Sequence, residues 1–247
     1  MTNVASLRVD QPSPAIRALG ERLVVGATTP EARALACFRY VRDEIRFGFT
    51  PRFDLASAEE TLAFGRGHCN PQAVLFASLL HAVGVEARLH VVTISNEILA
   101  GIFPPPGGPP AQLAHIFTEV RLAGEWRRLD GYIVDPLLFA NAVPRLRTEG
   151  RRLGWGVHVD GRIEWDGRSD CMAQFVGDDL RVGPDLGTTL DPAPFFASAA
   201  NPQRLGLVSG LLYRTFAVTP ANRTLDAIRS GSAPPTEVAR DGRDTRS

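Results

Sequence analysis

The stretch GRGHCNPQAVLF, residues 65–76, predicts a glycine-rich loop that delivers one cysteine to the start of a buried helix. Gly65 and Gly67 permit backbone conformations that are closed to other residues. Asn70 is suited to cap a helix and Pro71 to be its first residue. Cys69 would then lie at the helix N-terminus, where backbone N–H groups and the helix dipole favour a thiolate. Helical spacing of apolar residues extends the helix to Val83, before Gly84.

The composition limits what the protein can be. With 247 residues, zero formal net charge and 44% hydrophobic residues, the chain is predicted to form a single soluble, cytoplasmic domain over residues 1–229. No basic block, leader pattern or membrane-length apolar run occurs, so neither nucleic acid nor a membrane is expected as a partner. Three scattered cysteines argue against disulfides and a metal site, and no cofactor is expected. The absence of lysine indicates a GC-rich bacterial gene, while the oligomeric state is left open.

Residues up to 144 are predicted to form helices followed by antiparallel strands. A loose arm covers residues 1–14, and the long Pro/Gly-rich loop 96–113 is interpreted as a rim or lid of an active site. The predicted helices are 15–25, 30–45, 57–64 and the Cys69 helix, and the predicted strands are 85–95, 115–122 and 126–133.

The later residues predict more β structure and then helices. A hairpin is expected around Asp160-Gly161 within residues 145–176, with a further strand at 172–176. Residues 177–194 are predicted to be loop, 201–216 and 219–228 to be helices, and 230–247 a disordered tail. Helices, then mainly antiparallel strands, then helices predict the α+β class.

The strand pair after residue 114 brings a histidine and an acid together. If Ala123-Gly124 is a two-residue turn, His115 and Asp130 are diagonal neighbours on one face of the sheet, within side-chain reach. The same register places Glu119 opposite Arg128. The sequence therefore supplies Cys69 with a candidate base and a candidate orienting acid.

These three side chains predict nucleophilic catalysis through a thioester. His115 takes the thiol proton of Cys69, Asp130 holds the imidazole, and the thiolate attacks a carbonyl carbon. The backbone N–H of Cys69 is the first candidate oxyanion donor. A second donor or substrate-binding group is open between His68, Gln72 and Tyr132.

Three motifs resemble the transglutaminase-like superfamily. They are Gly67-His68-Cys69 with its helix and the exit GVEAR (residues 84–88), HIFTEV (115–120), and EWRRLD (125–130). The resemblance covers about residues 30–136 and implies a papain-like α+β core, with the Cys helix packed on an antiparallel sheet. The patterns of the later residues predict C-terminal β and helical additions over residues 137–229.

By position, the resemblance implies that Cys69, His115 and Asp130 are the catalytic residues. Family members often carry the acid directly before a proline, so Asp135, which precedes Pro136, is the alternative third residue. The resemblance implies a cysteine amidohydrolase or acyltransferase acting on a small amide or peptide. The alternative is a non-catalytic peptide- or ligand-binding module that retains the fold.

Overall fold

The computed structural model describes residues 7–103, 108–177 and 180–232 of the chain. The helices predicted over 30–45 and 57–64 are confirmed: Thr29 accepts a hydrogen bond from the Ala32 N–H, and Ser57 forms a capping box with Glu60. The helices are α1 (Pro14–Leu23), α2 (Pro30–Glu44), α3 (Ala58–Phe64), α4 (Cys69–Ala82), α5 (Pro136–Thr148), α6 (Ala193–Ala197), α7 (Leu207–Leu212) and α8 (Val218–Arg229).

A four-stranded antiparallel sheet packs against the helices in the order β5-β4-β3-β8. Two short pairs, β1-β2 and β6-β7, lie outside it. The strands are β1 (Arg46–Phe47), β2 (Arg66–Gly67), β3 (Ala87–Ser95), β4 (Gln112–Leu122), β5 (Glu125–Leu129), β6 (Leu153–Gly154), β7 (Val157–His158) and β8 (Arg181–Thr189). The α+β class is confirmed.

Helix α4 is the centre of the fold. It packs against β3 and β4 on one side and against α1, α2 and α3 on the other, so almost its whole surface is buried. The face of β4 that carries Ile116 and Val120 contributes to the main core with α4. The opposite face, with Leu113 and Phe117, forms a smaller cluster with Phe175 and Leu180. Burial on both faces fixes the register of the sheet.

The β4-β5 hairpin follows the sequence prediction. Ala123 and Gly124 both have positive φ, 49° and 84°, as the two central residues of a type I′ hairpin turn require. Glu119 pairs with Arg128. Strand β5 ends at Leu129 rather than at residue 133, and a 3₁₀ turn, Gly131–Ile133, follows it.

The start of α4 differs from the prediction. The N-cap is His68, which makes no side-chain capping bond, so Cys69 is the first helical residue and Asn70 is not a cap. Gly65 ends α3 with φ 62°, and residues 66–67 form β2, which pairs in parallel with β1. The segment before Cys69 is therefore held by backbone hydrogen bonds to β1 rather than being a free loop.

Several expectations for the C-terminal half are wrong. Helix α5 begins at Asp135 as its N-cap and was not predicted, while residues 162–165 and 172–176 form no strand. The short hairpin there turns at residues 155–156, not at 160–161. Residues predicted to be loop form the edge strand β8, which pairs with β3.

The ends of the chain also differ in part. The arm expected to be loose packs Leu7 and Val9 fully into the core. The helix expected at 201–216 begins only at Leu207 and runs through a π-helical turn, Tyr213–Ala217, directly into α8. The tail expected from residue 230 lies, beyond residue 232, outside the described residues. Residues 104–107 of the expected lid also lie outside the described residues. The first part of the lid segment contains the 3₁₀ turn Asn96–Leu99. No helix in the described part of the chain is long and apolar enough to cross a bilayer.

Candidate active site

The side chain of Asn70 fixes the start of α4 beside the sheet. Because β5 ends at Leu129, the edge of β4 near His115 has no strand partner on that side. Asn70 takes its place: Nδ2 donates to the carbonyl of Ala114 at 3.1 Å, and Oδ1 accepts from the Ile116 N–H at 3.0 Å. These two bonds place Cys69 next to β4 at the level of His115.

His115 and Asp130 are brought together as the hairpin predicted. Both side chains are fully buried, and Nε2 of His115 lies 3.2 Å from Oδ2 of Asp130. The other ring nitrogen, Nδ1, is buried and makes no hydrogen bond to the described residues. The half-buried thiol of Cys69 donates to Oδ1 of Asn70 at 3.3 Å.

The electrostatics of the site hold a proton on His115. Burial disfavours its charge, but the nearby Cys69 sulfur and the hydrogen-bonded carboxylate of Asp130 outweigh burial and raise the His115 pKa to about 9. The imidazolium is thus stabilised by the neighbouring Asp130 carboxylate and Cys69 sulfur.

Asp130 is held by a backbone cradle that the sequence did not reveal. Its Oδ1 accepts hydrogen bonds from the N–H groups of Ala173 and Gln174, the second at 3.1 Å, and Oδ2 accepts from the Phe175 N–H at 2.8 Å. Three consecutive N–H groups thus stabilise the buried carboxylate in addition to its contact with His115. Residues 173–175 were predicted to be strand, and no local sequence signal distinguishes a carboxylate cradle from a strand.

Asp135, the alternative third residue, has a different task. Its Oδ1 caps α5 by accepting from the Leu138 N–H at 3.1 Å, and its Oδ2 accepts from the Phe47 N–H at 3.1 Å. Arg229 completes the arrangement with an ion pair of 2.7 Å. The structure therefore pairs His115 with Asp130, and Asp135 joins α5 to α8 and β1.

Two candidate oxyanion groups already have partners within the protein. The amide nitrogen of Gln72 donates to the carbonyls of Gly67 at 2.7 Å and Ile133 at 3.0 Å, so both of its N–H bonds are used. The hydroxyl of Tyr132 is fully buried and paired with Thr118 at 2.8 Å, and burial raises its pKa well above 10. Neither can donate to a substrate oxygen. The first N–H groups of α4, beginning at Cys69, have no acceptor within the helix and remain candidates.

His68 lies beside Cys69 in a second buried network. Its ring stacks between Phe49 and Phe53, at centroid distances of 5.6 and 4.8 Å, and Nε2 lies 2.9 Å from Oδ1 of Asp54. Asn70 donates to the same oxygen at 2.8 Å. His68 also lines the cavity at Cys69, so it remains a candidate for substrate binding.

Distant residues complete the network around Asp54. Gln203 donates to both Asp54 oxygens at 2.9 Å, and its own carbonyl oxygen accepts from the Ala114 N–H at 3.2 Å. Asn201 donates to Oδ2 at 3.4 Å. The sequence analysis missed Asp54, Asn201 and Gln203, because they lie in connections and are about 150 residues apart along the chain.

Cys69 opens onto a cavity of about 620 Å³. One wall comes from β1 and the connection that follows it, another from residues within 94–103 and 108–114, and a third from residues 205–217 before α8. Within the described part of the chain, no group of three His, Cys, Asp or Glu side chains is arranged to hold a metal ion. A thiol, an imidazole and a carboxylate next to a large cavity are the parts required for covalent acyl transfer.

Comparison with known proteins agrees with the motifs. Residues 17–131 match the model of the transglutaminase-like superfamily. Among solved structures, a "putative cysteine protease" from Cytophaga hutchinsonii is similar at 18% identity and a TM-score of 0.39, with 56% of this chain and 44% of that chain covered. A "putative protease" from Parabacteroides distasonis is similar at 9% identity and a TM-score of 0.37, with 50% and 24% covered.

The chain thus spans less than half the length of either solved structure, and the similarity to them is confined to the fold. No curated protein matches the sequence significantly. The family match includes Cys69 and His115 and ends just after Asp130. Residues 17–131 therefore carry the core pattern of the transglutaminase-like superfamily.

Proposed function

We propose that the protein is a cysteine-dependent amidohydrolase or acyltransferase that cleaves an amide or related acyl bond of a small substrate. Cys69 is the nucleophile, His115 the general base and acid, and Asp130 the residue that orients His115. The single observation that carries this proposal is the buried His115, which has Nε2 on Asp130 and its charge stabilised by Cys69.

The proposed reaction has two steps. The Cys69 thiol transfers its proton to Nδ1 of His115, and the thiolate attacks the substrate carbonyl carbon. The oxyanion accepts a hydrogen bond from the backbone N–H of Cys69. His115 then protonates the leaving nitrogen, and the carbon–nitrogen bond breaks to give a thioester. Water or an acceptor amine then attacks the thioester while His115 removes its proton, and the Cys69 thiol is regenerated.

Alkylation kinetics test the nucleophile directly. Iodoacetamide reacts with thiolates, so the rate at an ordinary thiol falls about 100-fold between pH 8 and pH 6. In the ion pair with His115, Cys69 should lose less than about threefold over this range. Burial raises the pKa of both Cys37 and Cys171 to about 12, so they provide inert internal controls.

His115→Ala should restore the ordinary pH dependence at Cys69, and a wild-type rate that already falls 100-fold would overturn the ion pair. The acyl-enzyme is tested by mass spectrometry after mixing with p-nitrophenyl acetate. An added acetyl group on Cys69, absent from Cys69→Ser, is the expected result. The absence of this adduct, together with an ordinary alkylation profile, would instead favour the non-catalytic binding module.

A further inference from the structure

The cavity at Cys69 has an unusual lining for a site that acts on polar amides. Its walls are made mainly of phenylalanine, leucine, isoleucine and proline side chains. Among the described residues that line it there is no aspartate, glutamate or arginine. Because an unpaired charge buried in such surroundings is strongly disfavoured, the cavity selects an uncharged group.

Apart from Cys69 and His68, whose Nδ1 has no partner among the described residues, the polar side chains in the wall are engaged within the protein. Nε2 of Gln174 donates to the carbonyl of Gly156 at 2.6 Å, and the amide of Gln203 is engaged by Asp54 and Ala114. The Ser209 hydroxyl accepts from the Gly206 N–H at 2.8 Å. A peptide in this cavity would need partners for several backbone groups, and these side chains are committed elsewhere.

The cavity is also large compared with one amino-acid side chain. At about the 30 Å³ that a water molecule occupies in the liquid, the 620 Å³ cavity has room for roughly 20 non-hydrogen atoms. Its mouth remains apolar: Leu212 and Phe216 line it while they are 52% and 68% exposed. An elongated apolar group can therefore enter from solvent and end at Cys69.

We propose that the substrate of Cys69 carries an elongated, uncharged, apolar acyl chain of up to roughly 20 non-hydrogen atoms on the volume above, which the cavity binds. This inference rests on the proposed function, because it assigns the chain to the acyl group that Cys69 would receive. The carbonyl lies at Cys69, the chain lies along the Phe and Leu walls, and the leaving group lies outside the cavity.

The acyl side is tested with p-nitrophenyl esters of increasing chain length, since the burst of p-nitrophenolate measures transfer of the acyl group to Cys69. Each methylene that leaves water should raise the second-order acylation rate constant about three- to fourfold. The decanoate should therefore react at least 100-fold faster than the butanoate. Equal rate constants for the two esters, with a burst present, would overturn the inference and leave the proposed function intact.

A matched pair of variants on α7 locates the effect. Leu212→Asp places a charge at the mouth, and the ratio of decanoate to butanoate rate constants should fall at least tenfold. Leu207 is on the same helix, 95% exposed and outside the lining, so Leu207→Asp should preserve the ratio. Equal ratios in the two variants would place the selectivity elsewhere and overturn the inference.

Binding without chemistry separates the two proposals. In Cys69→Ser, calorimetry with decanamide and butanamide should give a dissociation constant at least 100-fold lower for decanamide, and Leu212→Asp should remove this difference. If no ester gives a burst while decanamide still binds in this way, the proposed function fails and the cavity retains its assigned ligand. If decanamide binds no better than butanamide, the inference fails whatever the kinetics show.

Discussion

Asp130→Asn is the sharpest test of the site, because it keeps the shape of the side chain and removes its charge. The four hydrogen bonds to Asp130 all require an acceptor: three come from the backbone N–H groups of residues 173–175 and one from His115. An asparagine has one acceptor oxygen. If that oxygen takes the place of Oδ1, the amide NH₂ faces the Phe175 N–H and Nε2 of His115.

The expected loss of stability follows from these bonds. One orphaned buried N–H costs about 1–3 kcal/mol, and the loss of hydrogen bonds to a charged acceptor costs about 1.5–3 kcal/mol more. A total of about 3–5 kcal/mol corresponds to a decrease in Tm of roughly 6–20 °C for a chain of this size.

The effect on activity should be larger. With an NH₂ group opposite Nε2, the neutral imidazole carries its proton on Nδ1, and the atom that should take the Cys69 proton is blocked. We expect kcat/KM to fall roughly 10⁴-fold, the size known for this exchange in catalytic triads. The assay is hydrolysis of an acyl ester at a temperature where circular dichroism shows the variant to be folded.

Asp135→Asn is the matched control. Asp135 is also buried and ion-paired with Arg229, so the variant should lose about 3–5 kcal/mol of stability while its kcat/KM changes less than about threefold. If Asp135→Asn abolished activity and Asp130→Asn retained more than a tenth of it, the assignment of Asp130 as the orienting acid would be refuted.

The remaining predictions concern pH and the supports of the site. Because the His115 pKa is about 9, His115 can no longer protonate the leaving nitrogen above pH 9, and acylation by amides should decrease there. Acylation by p-nitrophenyl esters, whose leaving group needs no proton, should not decrease. Parallel pH profiles for the two substrates would contradict this. Asn70→Ala leaves the Ile116 N–H without its acceptor and should lower stability by about 2–4 kcal/mol in urea unfolding, with slower alkylation of Cys69. Gln203→Leu should have a similar effect on stability through Asp54, and an unchanged unfolding midpoint would show that this network is dispensable.

The predictable part of the site is the part with short-range periodicity. The period of two along residues 115–130 and the turn at Ala123-Gly124 were sufficient to place His115 beside Asp130. The capping residue Thr29 likewise marked the start of α2. In these cases the interaction partners lie within a few residues of each other or across one hairpin.

Predictions from local sequence were wrong where a tertiary contact used the side chain on which the prediction relied. Asn70 has the properties of a helix cap, but its amide makes two bonds to the edge of β4 that no local pattern shows. Strand β8 was missed for a different reason. It contains Gly183, Pro184 and Gly187, which favour loops, and it pairs with β3 only through register shifts at an exposed edge, where such residues are tolerated.

The C-terminal half contributes to the site although its sequence resembles no part of the family pattern. The match to the superfamily ends at residue 131, one residue after Asp130. A carboxylate buried at that position needs donors, and they come from residues 173–175. Asp54 similarly depends on Gln203, and residues 205–217 form the cavity wall. Residues 17–131 therefore supply Cys69, His115 and Asp130, and the later residues hold Asp130 and shape the cavity. On the proposed function, substitutions within residues 205–217 should change the acyl group that is accepted while the chemistry at Cys69 stays the same.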